Sequence, residues 1–118
     1  MGRRNAKDAK LELLRGTLDM LILKTLRFGP THGRGIANYI RQTTDSVLSV
    51  EHGSLYPALH RLERAGLISG KWETRGELAR ELKYYRLTAA GRKQLQSETS
   101  KWTQLVAAIS RVMRPGEV

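Results

Sequence analysis

One stretch constrains this chain more than any other: Ser54-Leu55-Tyr56-Pro57-Ala58-Leu59-His60-Arg61-Leu62-Glu63-Arg64-Ala65, closed by Gly66. At about 100° per residue, with Leu55 at zero, Leu59 falls near about 40°, Leu62 near about 340° and Ala58 near about 300°. These residues make one apolar face. Pro57, His60 and Arg64 lie opposite, at about 200°, 140° and 180°, with Tyr56 and Arg61 on the flanks. A helix so divided can bury one side only. Ser54 reads as its N-cap, and Pro57 falls in the first turn, where its missing N–H costs nothing. Gly66 reads as the C-cap. Two strand-prone runs follow, Leu67–Glu73 and Leu82–Leu87, separated by the glycine-centred loop Thr74–Arg80. Tyr84, Tyr85 and Leu87 are good strand formers.

Upstream, Leu11, Leu14, Leu18, Leu21 and Leu26 recur at helical intervals, and Met20, Ile22 and Leu23 widen the stripe until the helix is apolar nearly all round. Gly29-Pro30 stops it. The turn Thr31-His32-Gly33 leads to a second helix over about Arg34–Thr43, with Ile36, Ala37 and Ile40 inward. A polar loop and the β-prone Val47–Val50 precede the third helix. Thr88 caps a long last helix that reaches about Met113. Helix, helix, helix, strand, loop, strand, helix is the layout of a winged helix-turn-helix. The expected fold is mainly α (α+β), with a two-stranded hairpin wing and a long C-terminal dimerisation helix. It divides into a basic, mobile arm (1–10), a winged helix-turn-helix DNA-binding unit (11–88), the last helix (89–113) and a disordered tail (114–118).

Charge narrows the partners. The 118 residues carry 21 Lys+Arg against 11 Asp+Glu, a net charge of +10. This length allows one domain with one modest core. The absence of cysteine excludes a disulfide scaffold, a thiolate zinc site and thiol catalysis, and fits a reducing compartment. The longest strictly apolar run, Met20–Leu23, is far short of the ~20 residues of a membrane span. No apolar signal core follows the basic N-terminus, so no secretion signal is read and the expected location is the cytosol, with no membrane partner. His32, His52 and His60 lack metal-ligand spacing. There is no phosphate-cradling glycine loop, nucleophile elbow or paired-carboxylate pattern. Neither catalysis, a metal nor a cofactor is expected.

A small basic domain of this kind suits a polyanion. On the third helix, Tyr56, Pro57, His60, Arg61 and Arg64 face outward; arginine can pair bidentately with guanine edges or phosphate, and His and Tyr can donate to phosphate. Arg75 and Arg80 flank Gly76 at the hairpin tip, where they can grip the DNA backbone, although Glu73, Glu77 and Glu81 dilute the field and a solvated hairpin with cross-strand ion pairs remains the other reading. The run Arg3, Arg4, Lys7 and Lys10 is either a solvated end or an arm on phosphates.

The last helix reads as an association surface. Leu95, Trp102 and Ile109 are spaced by seven, as are Leu105 and Val112. Together with Leu14 and Leu18 of the first helix they are the expected dimerisation residues. A two-fold dimer would present two third helices about one DNA turn apart, ~34 Å, to a palindromic site on double-stranded DNA. Trp102 is either a packing anchor or the wall of a site for a small planar aromatic effector.

These residues resemble the PadR family of bacterial transcriptional regulators from about Leu11 to Met113. The similarity is carried by Arg15-Gly16-Thr17-Leu18-Asp19-Met20-Leu21-Ile22-Leu23, by His32-Gly33, and most strongly by Gly53-Ser54-Leu55-Tyr56-Pro57-Ala58-Leu59-His60-Arg61-Leu62-Glu63 with Gly66-Leu67-Ile68. Trp72, Lys83–Thr88 and Gly91-Arg92 add to it. The resemblance implies a repressor that dimerises through its C-terminal helix, with Ser54, Tyr56, Pro57, His60 and Arg61 at or near DNA. The single short C-terminal helix is similar to that of the smaller subclass. In its multidrug-sensing members a tryptophan on the last helix stacks on planar drugs, and Trp102 occupies a similar place. One departure is plain: Arg34 and Gly35 stand where the family has an aromatic and then an acidic residue, and Arg34 would add a phosphate contact if it lies near DNA. The resulting expectation is a homodimeric, sequence-specific repressor released by a ligand or other signal. The alternatives are an architectural binder of duplex DNA or RNA with weak sequence preference, or a protein-interaction adaptor.

Overall fold

In the computed structural model the described residues are 6–76, 80–114 and 116, with side chains described from Thr17 onward. The chain runs α1 (Ala6–Arg27), β1 (Thr31–His32), α2 (Gly33–Thr43), α3 (His52–Arg64), β2 (Ile68–Arg75), β3 (Arg80–Leu87) and α4 (Ala89–Met113). The basic arm expected over residues 1–10 lies outside the described residues for 1–5 and, in its side chains, throughout.

The core gathers one face of every helix. Leu18, Ile22, Leu23 and Leu26 of α1 meet Ile36 and Ile40 of α2, and Leu55, Ala58, Leu59 and Leu62 of α3. Ile68, Tyr85 and Leu87 close it from the sheet, and Leu95 from α4. Buried leucines of this kind each contribute roughly 1.5–3 kcal/mol. Thr25, the one buried polar side chain among the described residues, donates from Oγ1 to the Leu21 carbonyl at 2.8 Å.

Two local expectations need correction, and one β-prone stretch forms no strand. First, the wing is part of a three-stranded antiparallel sheet of order β1-β3-β2. Thr31 and His32, expected as a turn, pair with Tyr85 and Tyr84. Pro30 cannot extend a helix, which leaves the two residues after it extended and beside the free edge of β3. Second, α3 begins at His52, with Glu51 rather than Ser54 at the N-cap and no side-chain cap bond. Backbone N–H groups of Ser54 and Leu55 instead both donate to the Glu51 carbonyl. Pro57 is therefore one turn further into the helix than its chemistry alone suggests, and it leaves the Gly53 carbonyl without an i+4 donor. The β-prone Val47–Val50 stays in the loop; Thr44 holds it there, accepting from the Leu48 N–H at 3.0 Å.

The junction after α3 carries two tight constraints. Gly66 has φ +77, a left-handed conformation that glycine adopts without steric cost. Its N–H donates to Glu63 and the Leu67 N–H to Leu62, a complete Schellman closure. Thr88 then ties the start of α4 to the same corner: its hydroxyl donates to the Gly66 carbonyl at 2.7 Å and accepts from the Gly91 N–H at 3.0 Å. A Cβ at Gly91 would lie 2.0 Å from the Leu67 carbonyl oxygen. The entry of α4 against the wing thus depends on a missing side chain.

The radius of gyration is 16.7 Å, against about 13.5 Å for a compact chain of this length. Part of the excess is α4, which leaves the core after Leu95 and is exposed at every residue from Thr99 to Arg114. No helix among the described residues is long and apolar enough to cross a membrane.

Candidate nucleic-acid interface

The division of α3 read from its periodicity is the division found. Leu55, Ala58, Leu59 and Leu62 are buried, while Tyr56, Pro57, His60, Arg61 and Arg64 are exposed and Ser54 is half-buried. The earlier start of the helix adds His52 to this surface; its ring lies 5.5 Å from that of Tyr56. Tyr56 in turn closes against the start of α2, where a Cβ at Gly33 would meet its hydroxyl at 2.8 Å. Beside it, Arg34 is exposed on the first turn of α2. His32 caps that turn, its Nδ1 accepting from the Gly35 N–H at 3.2 Å, and sets its ring edge-on to Tyr84.

The wing is fixed to α3 by one carboxylate. Glu63 accepts from the Gly70 N–H through Oε2 at 3.2 Å and from Lys83 Nζ through Oε1 at 3.0 Å. This hydrogen bond, ahead of a smaller opposing effect of burial, raises the pKa of the Lys83 ammonium above its ordinary value. Behind it the Tyr85 hydroxyl titrates above its ordinary value chiefly because it is buried. On the other face of the hairpin, Glu73 accepts from Arg75 at 2.7 Å and from Arg86 at 3.0 Å. The Arg75 hydrogen bond is the main reason that the Glu73 carboxyl lies below its usual range. The Arg75 guanidinium also covers the Tyr84 ring at 4.1 Å.

Between α3 and the wing lies an open groove of about 770 Å³. Its walls include Arg34, Tyr56, His60, Trp72, Arg75 and Arg80, together with His32, His52 and Lys83, and among the described residues no carboxylate lines it. A concave surface of cations, imidazoles and aromatic rings without acidic groups is suited to a phosphodiester backbone. Arg34, Arg64 and Arg80 make no ion pair among the described residues, whereas Arg61, Arg75 and Lys83 each do.

Not every expected position converges here. Tyr56, His60, Arg34, Arg75 and Arg80 meet at the groove, but Ser54, Pro57, Arg61 and Arg64 do not line it. Arg61 turns toward α1, where its Nη2 donates to Oδ1 of Asp19 at 2.7 Å. Trp72 and His52 line the groove as well, although the sequence reading singles out neither for it. For Trp72 the signal was available: Ile68, Gly70 and Trp72 alternate on one face of β2. Ile68 is buried, and two steps on the same face has passed the core edge, leaving Trp72 61% exposed over the groove.

The association surface is similarly redrawn. The Leu14 side chain lies outside the described residues. Leu18 and Leu95, expected at the dimer seam, are buried in the protomer's own core, because α4 crosses α1 there. Leu105, Ile109 and Val112 are exposed, with Trp102 at 44%. Val106 and Met113 extend the same stripe.

A model of the transcriptional regulator PadR-like family matches residues 22–97. A solved transcriptional regulator from Clostridium thermocellum is 30% identical and superposes with a TM-score of 0.79, over 87% of this chain and 99% of that one. A PadR family transcriptional regulator from Eggerthella lenta is 32% identical, with a TM-score of 0.75 over 93% of each chain. An uncharacterized protein from Lysinibacillus sphaericus is 26% identical over 102 residues, 86% of this chain and 93% of its own.

Proposed function

Because this chain belongs to the transcriptional regulator PadR-like family, DNA-binding regulators and not enzymes, we propose that it acts as a homodimeric, sequence-specific repressor. The observation that carries this reading is α3: its apolar face is buried, and its cationic and aromatic face is exposed beside a groove that no carboxylate among the described residues lines. Tyr56, His60 and Arg64 then read or grip the major groove, with Ser54, Pro57 and Arg61 at its edges. Arg34, Arg75 and Arg80 hold the flanking phosphates.

Dimerisation rests on the second half of α4. Trp102, Leu105, Val106, Ile109, Val112 and Met113 recur at three- and four-residue intervals and are all exposed in the single chain. A contiguous apolar stripe of that kind asks for a second helix. Two copies joined there present two α3 helices to a palindromic operator, ~34 Å apart if they fall on successive turns. Occupancy excludes polymerase. Release follows when a planar aromatic effector, held at the Trp102 pair, favours a dimer with mis-spaced α3 helices.

Selection of duplexes from a random pool tests the reading. A palindrome should emerge and be held at least ~10³-fold above random DNA at physiological salt. Enrichment without a palindrome would indicate an architectural binder, and no enrichment a protein-interaction adaptor. Screening planar aromatics against the selected duplex then tests release; Trp102→Ala should abolish any response or weaken the dimer.

A further inference from the structure

We propose that Asp19 is a specificity-determining residue: its carboxylate occupies the Arg61 guanidinium on non-cognate DNA and yields it only to a group presented in the cognate register. The proposal rests on the DNA-binding role of α3 argued above. Arg61 stands on the solvent side of α3, yet its Nη2 donates to Oδ1 of Asp19 at 2.7 Å. The pair joins α3 to α1 across 42 positions of sequence. Both partners remain partly open to water, with 53% of the Arg61 side chain and 35% of that of Asp19 exposed. A pair this exposed adds little to stability. Its consequence lies in what Arg61 can do for DNA.

Asp19 is well suited to such a hold. It is a short side chain on the turn of α1 whose neighbours Leu18, Ile22 and Leu23 are buried, so its carboxylate is placed by the core rather than by a flexible stem. A carboxylate and a phosphate offer the same bidentate acceptor geometry to a guanidinium. On random duplex the exchange of one for the other gains little, and the neutralised Arg61 releases no counterion. On the cognate duplex a correctly placed phosphate or guanine edge adds geometric fit to charge, and the exchange becomes favourable. Arg34, Arg64 and Arg80, which have no ion-pair partner among the described residues, carry no such discrimination.

The test is Asp19→Asn in the full chain, titrated with the selected operator and with random-sequence duplex over about 50–200 mM salt. The variant should bind random duplex several-fold more tightly. Its salt slope should steepen by about 0.9 per protomer, or about 1.8 per dimer. Operator affinity should rise less, so the specificity ratio falls. Asp19→Ala, at a surface position, should behave alike if the asparagine variant folds poorly. In an Arg61→Met background the same Asp19 substitutions should leave the slope unchanged. An unaltered slope, weaker operator binding, or an effect that survives Arg61→Met overturns the role of Asp19. A wild-type chain with equal affinity for operator and random duplex overturns the repressor reading itself.

Discussion

Leu59 and Arg64 sit five positions apart on α3 and have opposite roles. Leu59 is fully buried in the cluster that α1, α2 and α3 share. Leu59→Ala should cost about 2–5 kcal/mol of stability, read by denaturant unfolding. Arg64 is exposed and makes no ion pair among the described residues. Arg64→Ala should leave unfolding within about 0.5 kcal/mol and reduce operator affinity by ~1–3 kcal/mol if the side chain reaches a base. A large unfolding change with intact DNA binding would reverse the assignment. The helical wheel separated these two residues because a 3.6-residue repeat needs no tertiary information. It could not place Arg61, whose guanidinium direction is set by Asp19 on a helix distant in sequence. At the hairpin, Glu73 carries a prediction of its own. Its carboxyl is held low by Arg75, so the ionised form is favoured by folding. The contribution is present above the ordinary value of 4.5 and lost as pH falls through the lower folded value. The amide shifts of Glu73, Arg75 and Arg86 should therefore move together as pH falls through that lower value.

The elements were legible where periodicity and punctuation agree, and blurred where pairing partners decide. The strand β1 has only two residues and no strand signature; it exists because Pro30 ends the helix and β3 offers an open edge. The hairpin itself follows from strand formers on both sides of Gly76, with Ile68 opposite Leu87 and Arg75 opposite Arg80. For α4 the first and second halves must be treated apart. Gly91 lets its first turn close on the Leu67 carbonyl, so Gly91→Ala should lower the melting temperature and shift α4 relative to the wing; an unchanged melt would mean that the corner relaxes without cost. Further along, Leu105 and Ile109 are 56% and 50% exposed. Leu105→Ser with Ile109→Ser should leave helix content unaltered and yield monomers by analytical ultracentrifugation; dimers that persist would move the interface elsewhere.

Across the whole molecule, charge is dispersed in sequence but focused by the fold. The net +10 is spread over every part of the chain, and folding collects Arg34, His60, Arg75 and Arg80 about one groove while Glu63 and Glu73 are drawn into ion pairs outside its lining. A dimer using Arg34, Arg64 and Arg80 from each protomer neutralises six phosphates, so log affinity should fall with log salt at a slope of about −5. A slope near zero would remove electrostatics from binding; one of about −9 would add the paired Arg61 and Arg75, and one of about −16 the four cations of the N-terminal arm as well. What the amino-acid order determined by itself was whatever depends on nearest neighbours along the chain: which face of α3 is apolar, where Gly29-Pro30 and Gly66 end helices, and how much net charge there is to place. Only the tertiary structure decided which cations are paired, that Leu18 and Leu95 belong to the protomer's core, and that Trp72 overhangs the groove. Those outcomes turn on distances of a few ångströms between residues far apart in sequence, and no local repeat encodes them.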